Sequence, residues 1–140
     1  MLKLEKMTKI LVDTSALLAI LSVRDAAHKI AKPTWDRLIL EDVSLYTHNY
    51  LIIEASALIQ NRLGMNAIQD LHRNILPMLE IEWITRQQHR EIINTYLLAN
   101  RRQLSLVDCA SFEIMRRHGI RKAFTFDKHF AEQGFETIGQ

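Results

Sequence analysis

Four acidic residues stand at positions where a carboxylate is energetically costly, and they are the groups in this chain best suited to chemistry. Asp13 ends a β-branched, apolar run, and Asp127 follows another. Glu54 lies on the apolar side of a predicted helix, and Asp108 lies near the start of a further helix, in "SLVDCASF". A buried carboxylate without a partner is strongly unfavourable or shifts its pKa until it is neutral. These four positions therefore need an explanation.

Each residue also has a purely structural explanation. Asp13 can cap the next helix, and Asp127 can form an Asx turn. Asp108 has the spacing of a capping box with Ser105, and Glu54 can be a core carboxylate paired with Arg or Lys. Taken singly, Asp13 and Asp127 fit the structural explanation, Asp108 fits either, and Glu54 favours a functional role.

Considered together, the four carboxylates predict a metal site. Two end parallel strands, and two lie near the starts of helices that flank the same sheet edge. If they converge, each pair at about 4 Å repels by about 4 kcal/mol at an effective dielectric near 20. A hard divalent cation with oxygen ligands, Mg²⁺ or Mn²⁺, suits such a cluster without dedicated His or Cys ligands.

The predicted elements alternate between short strands and helices. Such alternation indicates crossover units and a mainly parallel sheet with helices on both faces, the α/β class. In these sheets ligands bind beyond the carboxyl ends of the strands, where Asp13 lies. Strands are predicted over 9–12, 43–48, 79–84, 122–126 and 135–138. Helices are predicted over 15–22, 25–40, 49–62, 66–76, 85–102 and 105–118. Pro33 marks a break or a fresh first turn in the second helix, and the third has Asn49 as N-cap and Gly64 after its end.

Composition sets the remaining limits. The 140 residues are 48% hydrophobic and 24% charged, which predicts a single folded domain over 1–140 rather than a disordered chain. The single cysteine excludes an internal disulfide, and the formal net charge of +2 neither indicates nor opposes a nucleic-acid partner. The N-terminal segment lacks the apolar core of a signal peptide, and no run is long enough to span a membrane, so a cytoplasmic location is expected.

Four motifs in order make the chain resemble the PIN domain family, the nuclease fold of VapC-type toxins. They are "ILVDTSALLA", "THNYLIIEASAL", "LSLVDCASFEIMRRHGI" and "AFTFDKHF". The resemblance covers most of the chain and implies a three-layer α/β/α fold with four or five strands, and frequent homodimers. By matching position, the family's acidic quartet corresponds to Asp13, Glu54, Asp108 and Asp127.

The resemblance also assigns supporting residues. Ser15 and Thr125 match recurrent polar positions that hydrogen-bond the carboxylates, and Asn49 matches the Asn of the "TNY…E" variant. Many relatives have a carboxylate where this chain has His129, which leaves the share of Asp127 in metal binding open.

The function implied by the resemblance is a metal-dependent endoribonuclease, the toxin of a toxin–antitoxin pair, with Mg²⁺ or Mn²⁺ as cofactor. An antitoxin would bind a groove near the early helices, residues 16–40. The alternative is a PIN-like module that binds RNA or a protein without catalysis. Because an acidic cluster repels RNA, cationic residues must flank it; the candidates are Arg101, Arg102, Lys128 and His129.

Overall fold

A computed structural model describes residues 7–139 of the chain. The single-domain prediction extends to residues 1–6 and 140, which lie outside the described part, as does most of the segment judged not to be a signal peptide. The elements are β1 (Thr8–Val12), α1 (Thr14–Leu21), α2 (His28–Leu38), β2 (Val43–His48), α3 (Asn49–Leu63), α4 (Met65–Asp70), β3 (Glu80–Glu82), α5 (Arg86–Ala99), α6 (Leu106–Arg117), β4 (Lys122–Phe124), α7 (His129–Glu132) and β5 (Glu136–Ile138).

The five strands form one parallel sheet in the order β3-β2-β1-β4-β5. The chain proceeds outward from β1 to β3 and then returns to the other side of β1 to form β4. Because crossovers are right-handed, this reversal places the connecting helices on opposite faces of the sheet. The prediction of an α/β fold with a parallel sheet flanked by helices is confirmed.

The reversal between β1 and β4 is the topological switch point of the sheet, where ligands bind in open α/β folds. The register pairs Val12 with Phe124, and the amide of Asp13 donates to the carbonyl of Phe124 at 3.0 Å. Asp13 and the residues that follow β4 therefore emerge side by side at the carboxyl edge of the sheet.

The core lies on both faces of the central strand. Ile10, Leu11 and Val12 are all buried, as a strand covered on both faces requires. The helix α6 also packs on two sides, with Phe112 in the main core and Ile114 in a second cluster beside α5. This double burial fixes the position of α6, whose first turn carries Asp108.

Two helix predictions are wrong in detail. Helix α2 continues through Pro33 instead of breaking there, because Pro33 lies on the exposed side, where water can solvate the carbonyl left unpaired. It begins at His28, since the side chain of Asp25 accepts a hydrogen bond from the amide of Ala27 and holds a turn first.

The helix predicted over 66–76 is three segments. After α4 the chain forms a π-helical turn over Leu71–Ile75 and a 3₁₀ turn over Leu76–Met78. Leu71, Ile75 and Leu76 are buried, so the irregular turns keep apolar residues on the core. None of the helices within residues 7–139 has the length and apolar character that crossing a membrane requires.

Candidate active site

One surface depression of about 270 Å³ collects the four carboxylates named from the sequence. They come from four places: the end of β1, the middle of α3, the first turn of α6 and the loop after β4. The depression is lined by Asp13, Thr14, Ser15, Leu18, Glu54, Leu58, Ser105, Asp108 and Asp127.

Asp13 occupies the N-cap position of α1 but makes no side-chain cap hydrogen bond. Its Oδ2 instead accepts from Ser15 Oγ at 3.0 Å and from Thr125 Oγ1 at 2.9 Å. The two hydroxyls accept in turn from the amides of Phe126 and Asp127, at 2.9 and 3.0 Å. The side chain is therefore held across the switch point rather than used as a helix cap, and Ser15 and Thr125 lie where the sequence placed them.

Glu54 is held by a residue that the sequence reasoning missed. Thr14 Oγ1 donates to Glu54 Oε1 at 2.7 Å, which joins the first turn of α1 to α3. No Lys or Arg within residues 7–139 forms an ion pair with Glu54, so its explanation as a core carboxylate paired with a cation does not hold. In the sequence, the Thr14 hydroxyl next to Asp13 in "DTS" is the feature that could have indicated a hydrogen-bond donor for a nearby carboxylate.

Asp108 and Asp127 have local structural roles as well as a place in the depression. Asp108 Oδ2 accepts from the amide of Ser105 at 3.2 Å, and Ser105 Oγ accepts from the amide of Asp108 at 3.0 Å, a complete capping box. Asp127 Oδ1 accepts from the amide of His129 at 2.9 Å, as in an Asx turn. Both structural explanations are confirmed, and they coexist with the clustering.

The carboxylates perturb one another. Burial raises the pKa of Asp13 from 3.8 to about 6; the two hydroxyls oppose the increase, and the charge of Asp108 adds to it. Burial also raises the pKa of Asp108, where hydrogen bonds from Ser105 oppose the increase and the charges of Asp127 and Glu54 add to it. The site thus concentrates negative charge that a bound cation would relieve.

The donor chemistry fits a hard divalent ion, while the arrangement is not a closed cage. Within residues 7–139, no three His, Cys, Asp or Glu side chains are grouped closely enough to hold one ion between them. Each hydrogen bond described above involves one oxygen of its carboxylate. Mg²⁺ commonly binds through one or two carboxylates and keeps several waters, so the residues fit an ion held partly through water.

Asn49 does not have the role predicted for it. The N-cap of α3 is His48, whose Nδ1 accepts from the amide of Leu51 at 3.2 Å. The side chain of Asn49 accepts from the amide of Ile84 at 2.7 Å and so ties α3 to the segment after β3, away from the carboxylates.

His48 is a second residue that the sequence reasoning missed. Its Nε2 lies 2.7 Å from Ser111 Oγ on α6, and burial lowers the pKa of His48 to about 3, so the ring is neutral. With Nδ1 accepting from an amide, Nε2 carries the proton and donates to Ser111. This buried contact links the helix of Glu54 to the helix of Asp108.

The four predicted RNA-contacting residues are not equivalent. Lys128 directly follows Asp127 and is exposed, and Arg102 is exposed in the loop before α6. Arg101 lies 3.7 Å from Glu132, and the ring nitrogen Nδ1 of His129 lies 3.1 Å from the same carboxylate. His129, the first residue of α7, is buried and does not line the depression.

Comparison with known proteins agrees with this geometry. The model of the PIN domain matches residues 10–136. The 23S rRNA-specific endonuclease VapC20 of Mycobacterium tuberculosis is 29% identical over 130 residues, covering 92% of this chain and 97% of its own. Its crystal structure, described as a sarcin-ricin loop cleaving toxin, superposes with a TM-score of 0.79 at 28% identity over 90% of this chain and 95% of that one.

A second solved structure supports the fold alone. FitAcB from Neisseria gonorrhoeae superposes with a TM-score of 0.65 at 19% identity, over 92% of this chain and 96% of that chain. The family match over residues 10–136 includes all four carboxylates described above. The chain belongs to the PIN domain family.

Proposed function

We propose that this chain is a metal-dependent endoribonuclease that hydrolyses phosphodiester bonds of RNA. The observation that carries the proposal is the convergence of Asp13, Glu54, Asp108 and Asp127, from four separate elements, on one depression. Each of the four carboxylates has one oxygen that accepts a hydrogen bond from a neighbouring hydroxyl or amide.

The relative VapC20 supports both the reaction and the substrate class. It is an endonuclease specific for 23S rRNA, and its likeness extends over nearly the whole of both chains. Ribosomal RNA is therefore the first substrate to test.

The residues divide the chemical work as follows. A bound Mg²⁺ or Mn²⁺ supplies a more acidic water and neutralises charge on the phosphate. Asp13 and Glu54 would hold the ion, with Asp108 and Asp127 binding it directly or through its waters. Ser15 and Thr125 keep the Asp13 carboxylate oriented by donating to its Oδ2.

Lys128 is the best placed cation for the RNA backbone, because it is exposed and adjoins Asp127. Arg102 is the second, exposed in the loop that leads into α6. Arg101 and His129 share Glu132, which satisfies part of their hydrogen-bonding capacity. Arg101 and His129 are therefore poorer candidates for direct RNA contact than Lys128 and Arg102.

We also propose that the chain is a toxin controlled by an antitoxin protein. A groove of about 270 Å³ beside the early helices is lined by the apolar Ile20, Leu21, Trp35 and Ile75 and by the polar Lys32, Asp70 and Asn74. It lies in the region predicted to receive an antitoxin, and apolar side chains of a helix would fit it. The single-domain organisation of residues 1–140, homodimer formation and a cytoplasmic location remain predictions.

The alternative function is a PIN module that binds RNA or a partner without cleaving RNA. The open arrangement favours it, since no three acidic or His side chains within residues 7–139 form a ready-made ion cage. The two functions differ in whether a divalent ion is needed for RNA to be cut.

The test compares cleavage of ribosomal RNA in Mg²⁺ or Mn²⁺ with cleavage in EDTA. The proposal expects cleavage only with metal, loss of at least a hundredfold in Asp13→Asn, and near-normal activity in the control Asp42→Asn, whose carboxylate is exposed and distant from the depression. Binding of RNA that is equal in all three proteins, without cleavage, would establish the alternative. Growth arrest on expression, relieved by a co-expressed partner, tests the toxin role separately.

A further inference from the structure

A second depression adjoins the carboxylate site and has the opposite character. It measures about 290 Å³ and is almost entirely apolar. We call it the base slot; its lining residues are Tyr50, Ile53, Glu54, His89, Leu106 and Val107. Glu54 belongs to both depressions, and Val107 immediately precedes Asp108, so the two share a wall.

Aromatic rings in the base slot are held in position before any ligand arrives. The ring of Tyr50 packs edge-on against His48 at 6.2 Å between centroids and against His89 at 5.6 Å. The hydroxyl of Tyr50 is also hydrogen-bonded to Nδ1 of His89. The Tyr50–His89 pair therefore joins α3 to α5 across the slot and keeps both rings in a fixed orientation.

The rest of the slot is lined by apolar side chains that are exposed or half-buried. Ile53 is 69% exposed although it is adjacent to Glu54. Leu106 and Val107, in the first turn of α6, complete the slot. Exposed aliphatic side chains together with aromatic rings, beside an acidic site, suit a flat and uncharged group.

We propose that the base slot takes an unstacked nucleobase next to the scissile phosphate of the RNA. This inference rests on the proposed nuclease function and names a part of the substrate for it. A nucleotide has an anionic part and a flat, neutral part with apolar faces. The first belongs at the metal-bound carboxylates, and the second fits a slot whose only carboxylate is the shared Glu54.

Single-stranded RNA is recognised in this way, by bases that leave the stack and pack on aromatic side chains. A protein partner would account for the apolar slot alone, whereas a nucleotide accounts both for the slot and for the carboxylate site that shares its wall. The slot would thus determine the base preference at the nucleotide next to the cleaved bond.

The experiment uses an RNA oligonucleotide that the wild-type protein cleaves with Mn²⁺, its cleaved bond first being mapped. The base at each flanking position is then removed in turn, leaving an abasic sugar. We expect one position to matter most, with cleavage slowed roughly 5- to 100-fold, the range that stacking of one base on aromatic side chains supports.

Two slot variants decide whether the slot is responsible. Ile53→Trp fills the slot from an exposed position, and Tyr50→Leu removes its ring; the control Met65→Trp adds the same bulk at another exposed apolar site on α4. The slot variants should cleave the intact RNA more slowly yet show no further loss with the abasic RNA. Met65→Trp should behave as wild type.

The outcomes separate the two proposals. Two results would overturn the base-slot proposal and leave the nuclease proposal intact. In the first, wild type cleaves every abasic RNA as fast as the intact RNA. In the second, removal of the base slows cleavage by both slot variants as much as it slows cleavage by wild type. Slot variants that cleave the RNA normally but fail to bind a protein partner would also overturn the base-slot proposal. Absence of any metal-dependent cleavage by wild type removes both proposals.

Discussion

Replacing Asp13 by Asn should stabilise the metal-free protein while abolishing its activity. Burial raises the pKa of Asp13 from 3.8 to about 6, which means that the folded protein disfavours the ionised carboxylate. At about 1.4 kcal/mol per pKa unit, the ionised side chain costs the folded state about 3 kcal/mol at pH 7. Asparagine has the shape of the carboxylate without the charge, so Asp13→Asn recovers up to that amount.

The pH dependence follows from the sign of the shift. A carboxyl whose pKa is higher in the folded state binds protons more tightly there, so its contribution to stability is present below pH about 4 and is lost as the pH rises through about 6. The difference between Asp13→Asn and wild type should therefore vanish near pH 4 and reach its full size by pH 7. A mutation that merely improved packing would give the same gain at both pH values.

Thermal and urea unfolding in EDTA at pH 4 and pH 7 measure this difference. For a chain of this size, about 3 kcal/mol corresponds to an increase in Tm of up to about 10 °C. Adding Mn²⁺ should stabilise wild type, because binding to the folded state alone adds stability, and should do so far less in Asp13→Asn. The exposed control Asp42→Asn should change stability by less than about 0.5 kcal/mol at either pH.

A metal-free Asp13→Asn protein that is less stable than wild type at pH 7 would refute this reasoning. It would mean that the Ser15 and Thr125 hydroxyls compensate the buried charge completely. The crowding of carboxylates would then give no reason for a cation to bind.

Three further predictions concern other parts of the molecule. Cleavage should fall as the pH drops below about 6, because protons compete with the metal for Asp13; pH–rate profiles at saturating and limiting Mn²⁺ should differ in midpoint, and identical profiles would contradict this. Ser111→Ala should lower the free energy of unfolding, measured in urea, by about 1–3 kcal/mol, because it leaves the buried N–H of His48 without an acceptor. The control Ser56→Ala removes a similar contact with His72 at the surface and should lower it by less than about 1 kcal/mol. Lys128→Glu should weaken RNA binding severalfold and lower its salt dependence, while Arg121→Glu, with the same charge change at the other end of the sheet, should not; equal effects would show that only net charge matters.

The sequence predicts the position of all five strands because they are specified locally, but it makes two of them too long: β3 spans Glu80–Glu82 rather than 79–84, and β4 spans Lys122–Phe124 rather than 122–126. β2 spans Val43–His48 as predicted, and β1 and the capping box of α6 follow from short runs whose signals lie within a few residues. The errors fall where distant contacts decide. Pro33 is tolerated inside α2 because it is exposed, which depends on how the helix packs rather than on the residues beside it.

The candidate site divides in the same way. Asp13 could be named because it directly follows an apolar strand, Asp127 because it lies a few residues after another, and Glu54 because it interrupts an apolar helix face. His48 could not, because its role depends on Ser111, 63 residues away in the sequence. His48 and Asn49 are adjacent, and either residue type can cap a helix. Only the structure, in which His48 Nδ1 accepts from the amide of Leu51, shows that the histidine is the N-cap.

The local roles of Asp108 and Asp127 are compatible with a place in the site, and they help to form it. A capping box and an Asx turn each bind one carboxylate oxygen to a backbone amide of the same segment. The side chain is then fixed relative to its own helix or loop without a contact from elsewhere in the fold. The sheet only has to bring those segments to one edge, which the reversal between β1 and β4 does. A carboxylate with one oxygen fixed in this way loses its rotational freedom during folding, so less entropy remains to be lost if an ion binds.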